Sequence, residues 1–137
     1  MSRTSPLKEK SLSFAIRIVN LYKHLAETKK EYVLSKQLLR SGTNPGAMIH
    51  EAFDAESSKD FIHKLSIGQK EISETMYWLK LLKATDYITQ KQFDSIHQDA
   101  IEIKKLLTSS IITKKRNIGL LSITLLVLLI SGLLLLT

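Results

Sequence analysis

The 137-residue sequence contains no cysteine, only two prolines and only five glycines. The absence of cysteine excludes disulfides, thiolate nucleophiles and cysteine-based zinc sites, and it agrees with a reducing cytoplasm. No stretch alternates between apolar and polar residues with period two, so we expect no β-sheet. The first residues, MSRTSPLKEKSLSF, lack an apolar run of signal-peptide length, so we do not expect export of the folded part.

Charge is missing from one end of the chain. All 20 Lys and Arg residues and all 13 Asp and Glu residues precede Asn117. Residues 118–137, IGLLSITLLVLLISGLLLLT, consist of 14 Leu, Ile or Val residues and six Gly, Ser or Thr residues. The remainder therefore carries the entire net charge of +7, and it is more polar and more basic than the whole-chain composition suggests.

Four segments before Asn117 place apolar residues at helical spacing. The first runs from Leu12 to Ala26 with a wide apolar stripe, and the second begins near Glu31. Capping boxes are predicted to open the third and fourth segments, and both continue with an apolar seam spaced alternately by three and four residues. The capping pairs are Ser57 with Asp60 and Thr89 with Gln92; the seams are Phe61, Leu65, Gly68, Ile72, Thr75, Leu79 and Leu82, and Phe93, Ile96, Ala100, Ile103, Leu107 and Ser110.

The second segment contains Gly42, Asn44, Pro45 and Gly46, after which the helical spacing resumes. Proline removes a backbone donor and disfavours helical geometry in the preceding residue, so we expect a kinked or interrupted helix. The small residues there would let another helix or subunit approach closely.

These patterns predict an all-α protein. Residues 11–116 would form an antiparallel up-down four-helix bundle that follows a short tail over residues 1–10, and residues 118–137 would form a separate apolar helix.

Several blocks of the sequence resemble one known family. They are YVLSKQLLRSGT at 32–43, GAMIHEA at 46–52, and DFIHKLSIGQKE with ETMYWLKLL between 60 and 82. Together they are similar to the four-helix-bundle proteins encoded in intervening sequences of bacterial 23S rRNA genes, over about Ser11 to Lys115. The resemblance implies a ring-like homo-oligomer, a pentamer. It indicates how the protein folds and assembles rather than which activity it has. The blocks are also similar to bundle accessory proteins of diversity-generating retroelements, which bind nucleic acid and a reverse transcriptase.

The uncharged end, residues 118–137, has three interpretations. Twenty helical residues span about 30 Å, the thickness of a bilayer's hydrocarbon core, which favours a membrane helix. Lys114, Lys115 and Arg116 precede it and would keep the bundle on the cytoplasmic side of the membrane. Alternatively, the segment packs against the bundle, or against copies of itself as the core of an oligomer, in a cytoplasmic protein, or it results from a shifted reading frame or a late fusion.

Basic residues leave two binding partners open. Lys104 and Lys105 lie in an acid-free stretch and are candidates for contacting the phosphates of RNA or DNA. A membrane accounts equally for Lys114, Lys115 and Arg116, because cations beside a span are attracted to anionic lipid.

One further pair is a candidate for structure. Arg40 and Glu51 fall in the family-like blocks and are predicted to form an inter-helix or inter-subunit ion pair. On one straight helix they would lie about 16 Å apart, so only a kink or a neighbouring chain could join them.

Catalytic and metal chemistry find weak support. Asp60 with His63 and Asp94 with His97 have the spacing of di-iron helices, but Asp60 is better used as a cap. The loop at 41–46 lacks the Lys-Ser/Thr end of a phosphate-binding motif. We therefore expect no enzyme activity, no metal, no cofactor and no small-molecule substrate, and instead a self-associating bundle bound to the membrane, with nucleic-acid binding as the alternative.

Overall fold

The computed structural model describes residues 5–136, and within that range every regular element is a helix. The four helices are α1 (Pro6–Glu27), α2 (Leu34–Phe53), α3 (Ser58–Ala84) and α4 (Gln90–Leu136). The predicted all-α class is confirmed. Residues 1–4 of the predicted tail and Thr137 at the end of the predicted apolar helix lie outside the described residues.

The helices follow one another up and down around a common core. Each packs against its neighbours in the chain, and α1 also packs against α4. Across the described range, no Cα atom of α1 comes within 8 Å of α3, and none of α2 comes within 8 Å of α4. Consecutive helices joined by short connections, with α1 opposite α3 and α2 opposite α4, are the arrangement of an antiparallel four-helix bundle.

Helix α1 begins earlier than the predicted bundle boundary at residue 11. Pro6 occupies the first turn, where its missing N–H costs nothing, and Leu7 is already buried. The wide apolar stripe is only partly covered: Leu12 and Ile16 stay 54% and 53% exposed. The buried face runs instead through Leu7, Ser11, Phe14, Ile18 and Leu25.

Helix α2 is continuous, so of the two predicted alternatives the interruption is wrong and the kink stays a prediction. Pro45 lies inside the helix and is buried. Gly42 explains how α1 packs there, because a Cβ atom at this position would come within 2.7 Å of Cγ1 of Ile18. The close approach of a neighbouring helix, expected from the small residues, is therefore present without a break in α2.

Helices α3 and α4 bury the predicted seams almost completely. In α3, only Phe61 is partly exposed, whereas the other six seam residues are buried. In α4, Ile111 replaces Ser110 as the last buried position. A straight α-helix has 3.6 residues per turn, so a strict seven-residue repeat drifts off the core after several turns.

Candidate site at the apolar end of α4

Helix α4 starts at the predicted capping box. The Gln92 amide N–H donates to Thr89 Oγ1 (3.1 Å), and the Thr89 amide N–H donates to Gln92 Oε1 (2.8 Å). This reciprocal pair satisfies two of the amides that a helix start leaves unbonded. The other predicted box is half formed, since Ser57 Oγ accepts from the Asp60 amide at 3.0 Å.

The environment of α4 changes abruptly after Ile111. Ile111 is 6% exposed and belongs to the core, whereas its neighbour Ile112 is 50% exposed. The helix continues without a break to Leu136, so the bundle helix and the predicted separate apolar helix are one element of 47 residues.

Residues 118–136, termed the apolar segment, project beyond the bundle. An 18-residue window there has a mean hydropathy of 2.7, and none of it is buried. By length and composition α4 can cross a membrane. Its internal hydroxyls bond within the helix: Ser122 donates to the Ile118 carbonyl (3.0 Å), Thr124 to Leu120 (2.9 Å) and Ser131 to Leu128 (3.0 Å). Polar groups satisfied in this way are compatible with a lipid environment.

The predicted membrane-flanking cations lie where bundle and apolar segment join. Lys115 and Arg116 are exposed. Lys114 is half-buried, and its Nζ lies 5.3 Å from the centre of the Phe61 ring. The three residues form a basic collar between the last core residue, Ile111, and the first residue of the apolar segment.

Lys104 and Lys105 lie nearer the start of α4 than the basic collar, and both are exposed. They border an open groove of about 420 Å³ between α3 and α4, whose floor includes Met76, Ile101 and Ile112. Within residues 5–136 neither lysine forms an ion pair. Their charges are free to meet an anionic partner.

Arg40 and Glu51 are not brought together within the protomer. Arg40 bridges two carboxylates of α3, contacting Glu71 at 3.2 Å and also Glu74. Glu51 instead pairs with Lys64 of α3 at 3.1 Å. Each side chain finds its partner on α3 because α2 is continuous and keeps the two residues apart. A pair between subunits stays a prediction.

The candidate metal residues do not converge. Within the described chain, no group of three His, Asp or Glu side chains is placed to hold a metal ion. His97 stacks on Phe93 with ring centres 4.6 Å apart. Burial and the nearby Lys80 charge lower the pKa of His97, and Asp94 offsets this only in part.

Two features were missed in the sequence. Buried Glu31 accepts hydrogen bonds from the amides of Val33, Leu34 and Ser35 at 3.1, 2.8 and 2.6 Å, and so caps α2 from the preceding loop. Burial alone would raise the pKa of Glu31, but the backbone donors lower it below its ordinary value. A glutamate four residues before a serine is not a known capping motif, so the sequence did not indicate that Glu31 caps α2.

The other missed feature is an aromatic pair beside the basic collar. Phe53 at the end of α2 meets Phe61 at the start of α3 edge to face, with ring centres 5.9 Å apart. Lys8 of α1 lies 4.5 Å over the Phe53 ring. The spacing of the two phenylalanines across a short acidic loop was the available signal.

Comparison with known proteins covers the bundle. Residues 4–109 match the family model described as 23S rRNA-intervening sequence protein. The chain is also similar, at 59% identity and a TM-score of 0.76, to the crystal structure of a protein of unknown function from the S23 ribosomal protein family of Bacteroides thetaiotaomicron VPI-5482. That match covers 77% of this chain and 97% of the other. No curated protein matches.

The family match ends at residue 109, just before the last core residue of α4. The basic collar and the apolar segment therefore lie outside the shared part. The match over most of the chain agrees with the blocks of sequence that first indicated the family, and by it the chain belongs to the 23S rRNA-intervening sequence protein family.

Proposed function

We propose that the protein is a non-enzymatic, self-associating four-helix bundle held on the cytoplasmic face of the membrane by the apolar segment. The observation that carries this proposal is that no residue of the apolar segment, 118–136, is buried, although the segment holds no charge. Apolar patches on soluble monomers rarely exceed a few hundred Å². A helix that is apolar on all sides needs a surrounding apolar medium, and the bundle does not provide it.

Energetics favour lipid as that medium. Leu, Ile and Val each favour insertion by about 0.3 to 0.6 kcal/mol near a helix centre, and no charged residue opposes them. The basic collar, Lys114 to Arg116, supports the orientation with the bundle in the cytoplasm, since cations flanking a span are retained on that side.

Self-association is supported by the outer face of α1. Leu12 and Ile16 lie one turn apart and remain more than half exposed although they continue an apolar stripe. A ring-like homo-oligomer, the pentamer implied by the family resemblance, would cover them. Analytical ultracentrifugation tests this: changing Leu12 and Ile16 to Ser should shift the assembly towards monomer, whereas changing exposed Ser13 to Ala should not.

A non-enzymatic role is supported by the positions of the titratable side chains whose pKa values are shifted. Within the described range, the two titratable groups with resolved pKa shifts serve a helix cap and an aromatic stack rather than a shared cleft. Binding, rather than catalysis, is the activity that such a surface supports.

Nucleic-acid binding is the second candidate, favoured by Lys104 and Lys105, which are exposed and form no ion pair within residues 5–136. Phosphate binding predicts an affinity that falls steeply with salt, with a log-log slope of about −0.7 to −0.9 per phosphate neutralised. Changing Lys104 and Lys105 to Glu should then weaken RNA binding far more than changing Lys29 and Lys30. If the membrane proposal alone is right, neither double change matters.

Fractionation tests the membrane proposal. The full chain should sediment with membranes and resist carbonate extraction, because only the apolar segment has the length to span. The chain ending at Arg116 should be soluble and still melt cooperatively, since every buried core residue precedes it. Full-length protein in the soluble fraction would contradict the proposal and assign the segment to an oligomer core.

A further inference from the structure

All four helices contribute a residue to a linked cluster at the end of the bundle nearest the apolar segment. Lys8 of α1 lies over Phe53 of α2, Phe53 meets Phe61 of α3, and Lys114 of α4 lies over Phe61. These contacts hold the Lys114 ammonium at the base of the bundle rather than leaving it on a freely moving side chain.

A cleft of about 290 Å³ opens beside Lys114. No acidic residue lines it; its walls are Phe61, Ser109, Ser110, Thr113, Lys114 and Asn117. It therefore presents a cation and several hydrogen-bond donors with no carboxylate to neutralise them.

Two of the three hydroxyls of this cleft, those of Ser110 and Thr113, differ from the other hydroxyls in the same half of α4. Thr108 and Ser109 donate to α4 carbonyls, as do the three hydroxyl residues described in the apolar segment. Within residues 5–136, the Ser110 and Thr113 hydroxyls and the side-chain amide of Asn117 form no hydrogen bond. Three uncommitted polar groups thus converge on the position of Lys114.

The unbroken helix sets the depth of this cleft. At about 1.5 Å per residue, Lys114 and Thr113 lie about 6 and 7.5 Å before Ile118, and Ser110 about 12 Å. A bilayer's polar layer adds about 5 to 8 Å on each side of the hydrocarbon core. Asn117, Lys114 and Thr113 therefore fall at the level of lipid headgroups if the apolar segment spans the membrane.

We propose that the cleft between Phe61 and the Ser110–Asn117 stretch of α4 binds the phosphate of an anionic phospholipid headgroup. The Lys114 ammonium pairs with the phosphate, and the Thr113 hydroxyl and the Asn117 side-chain amide donate to its oxygens. Lys114 already covers the aromatic face that a choline group would need, so the cleft selects against a zwitterionic headgroup. This inference rests on the membrane insertion proposed above.

The test uses the full chain in neutral detergent micelles, titrated with short-chain phosphatidylglycerol, short-chain phosphatidylcholine or inorganic phosphate by calorimetry. Phosphatidylglycerol should saturate one site per chain. Lys114→Gln should weaken this binding by about tenfold, since charge-assisted hydrogen bonds are the strong ones. Lys115→Gln removes the same charge from the adjacent, exposed position and should weaken this binding much less, because an exposed charge is screened by salt.

A second variant isolates the hydroxyl. Thr113→Val keeps the shape and charge of the cleft and should also weaken phosphatidylglycerol binding, with the unfolding transition of Trp78 fluorescence unchanged. Equal losses in the Lys114 and Lys115 variants, or equal binding of the two lipids, would overturn the proposal. Inorganic phosphate binding as tightly as phosphatidylglycerol would also overturn it, in favour of a free anion.

Carbonate extraction of the same proteins separates the two proposals. The Lys114 and Thr113 variants should stay in the membrane, because the apolar segment is unchanged. If the parent chain is membrane-bound yet shows no preference for phosphatidylglycerol, only the headgroup site fails. If the parent chain is not membrane-bound, the membrane proposal fails with it.

Discussion

The two halves of α4 share one continuous backbone but lie in opposite surroundings. Between Gln90 and Ile111 the helix buries one residue in every three or four, and beyond Ile111 it buries none. The first half carries a single apolar stripe, whereas the second half is apolar on every side. The stripe is covered by the neighbouring helices α1 and α3, but an all-round apolar surface requires a continuous medium such as lipid.

This comparison teaches that hydrophobicity alone does not identify the core. Leu107 is completely buried, yet the leucines of the apolar segment, which are as hydrophobic, stay more than half exposed. What distinguishes them is whether other helices pack alongside. A substitution in the bundle should therefore change the stability of the fold, whereas a substitution in the apolar segment should not.

Replacing a leucine by alanine should give the largest difference in stability between the two halves of α4. Leu107→Ala should lower the free energy of unfolding of the bundle by about 2 to 5 kcal/mol, because it leaves a cavity in the core. Leu129→Ala in the same helix should leave that free energy unchanged. Urea unfolding of the full chain in micelles, followed through Trp78, the single tryptophan, measures both. Equal destabilisation would mean that the apolar segment packs on the bundle.

Two glycine-to-alanine changes sharpen the comparison within the bundle. At Gly42 the new Cβ would lie 2.7 to 2.9 Å from three carbons of buried Ile18, whereas at Gly68 the nearest atom is 3.6 Å away. Both changes gain the same helix propensity, so this term cancels. Gly42→Ala should therefore be less stable than Gly68→Ala by about 1 to 3 kcal/mol in the same urea assay. Equal stabilities would show that α1 shifts freely away from α2.

Glu31 should make the stability of the bundle depend on acid. Its pKa is lowered in the folded state, so its contribution is present above the ordinary glutamate pKa and is lost as the pH falls through the folded value. At neutral pH, Glu31→Gln should cost about 1 to 2 kcal/mol, and the difference should shrink in acid. Exposed Glu27→Gln is the control, and it should have little effect at either pH.

His97 should make the smallest contribution to the pH dependence of stability, in a higher pH range than Glu31. Its folded pKa is lowered from the ordinary value of 6.5, so the unfolded chain binds more protons. Its contribution is fully present above that value and is lost as the pH falls from about 6.5 through the folded pKa. His97→Gln should flatten this part of the stability profile, whereas exposed His63→Gln should not. Carbonate extraction should stay unaffected by either change, because the apolar segment has no titratable side chain.

Local patterns were sufficient to predict much of this fold. The capping pair of Thr89 and Gln92 and the seam of α3 are decided by residues close in the chain, so the prediction agreed with the structure. The sequence left open whether Pro45 interrupts α2, because the answer depends on whether the packing of α1 and α3 against α2 outweighs one absent hydrogen bond. The cleft beside Lys114 was missed as well, since Phe61 and Asn117 are far apart in the chain.

Hydrophobic periodicity and composition act over neighbouring residues, so the order of residues is enough to specify four amphipathic helices and a long apolar segment without charge. The tertiary structure alone decided which apolar residues are covered, leaving Leu12 and Ile16 outside the core. It also decided that Arg40 and Glu51 each pair with α3, and that Lys114 rests on Phe61. These are contacts between separate helices, and their geometry is set by how the helices pack rather than by the local preference of any one of them.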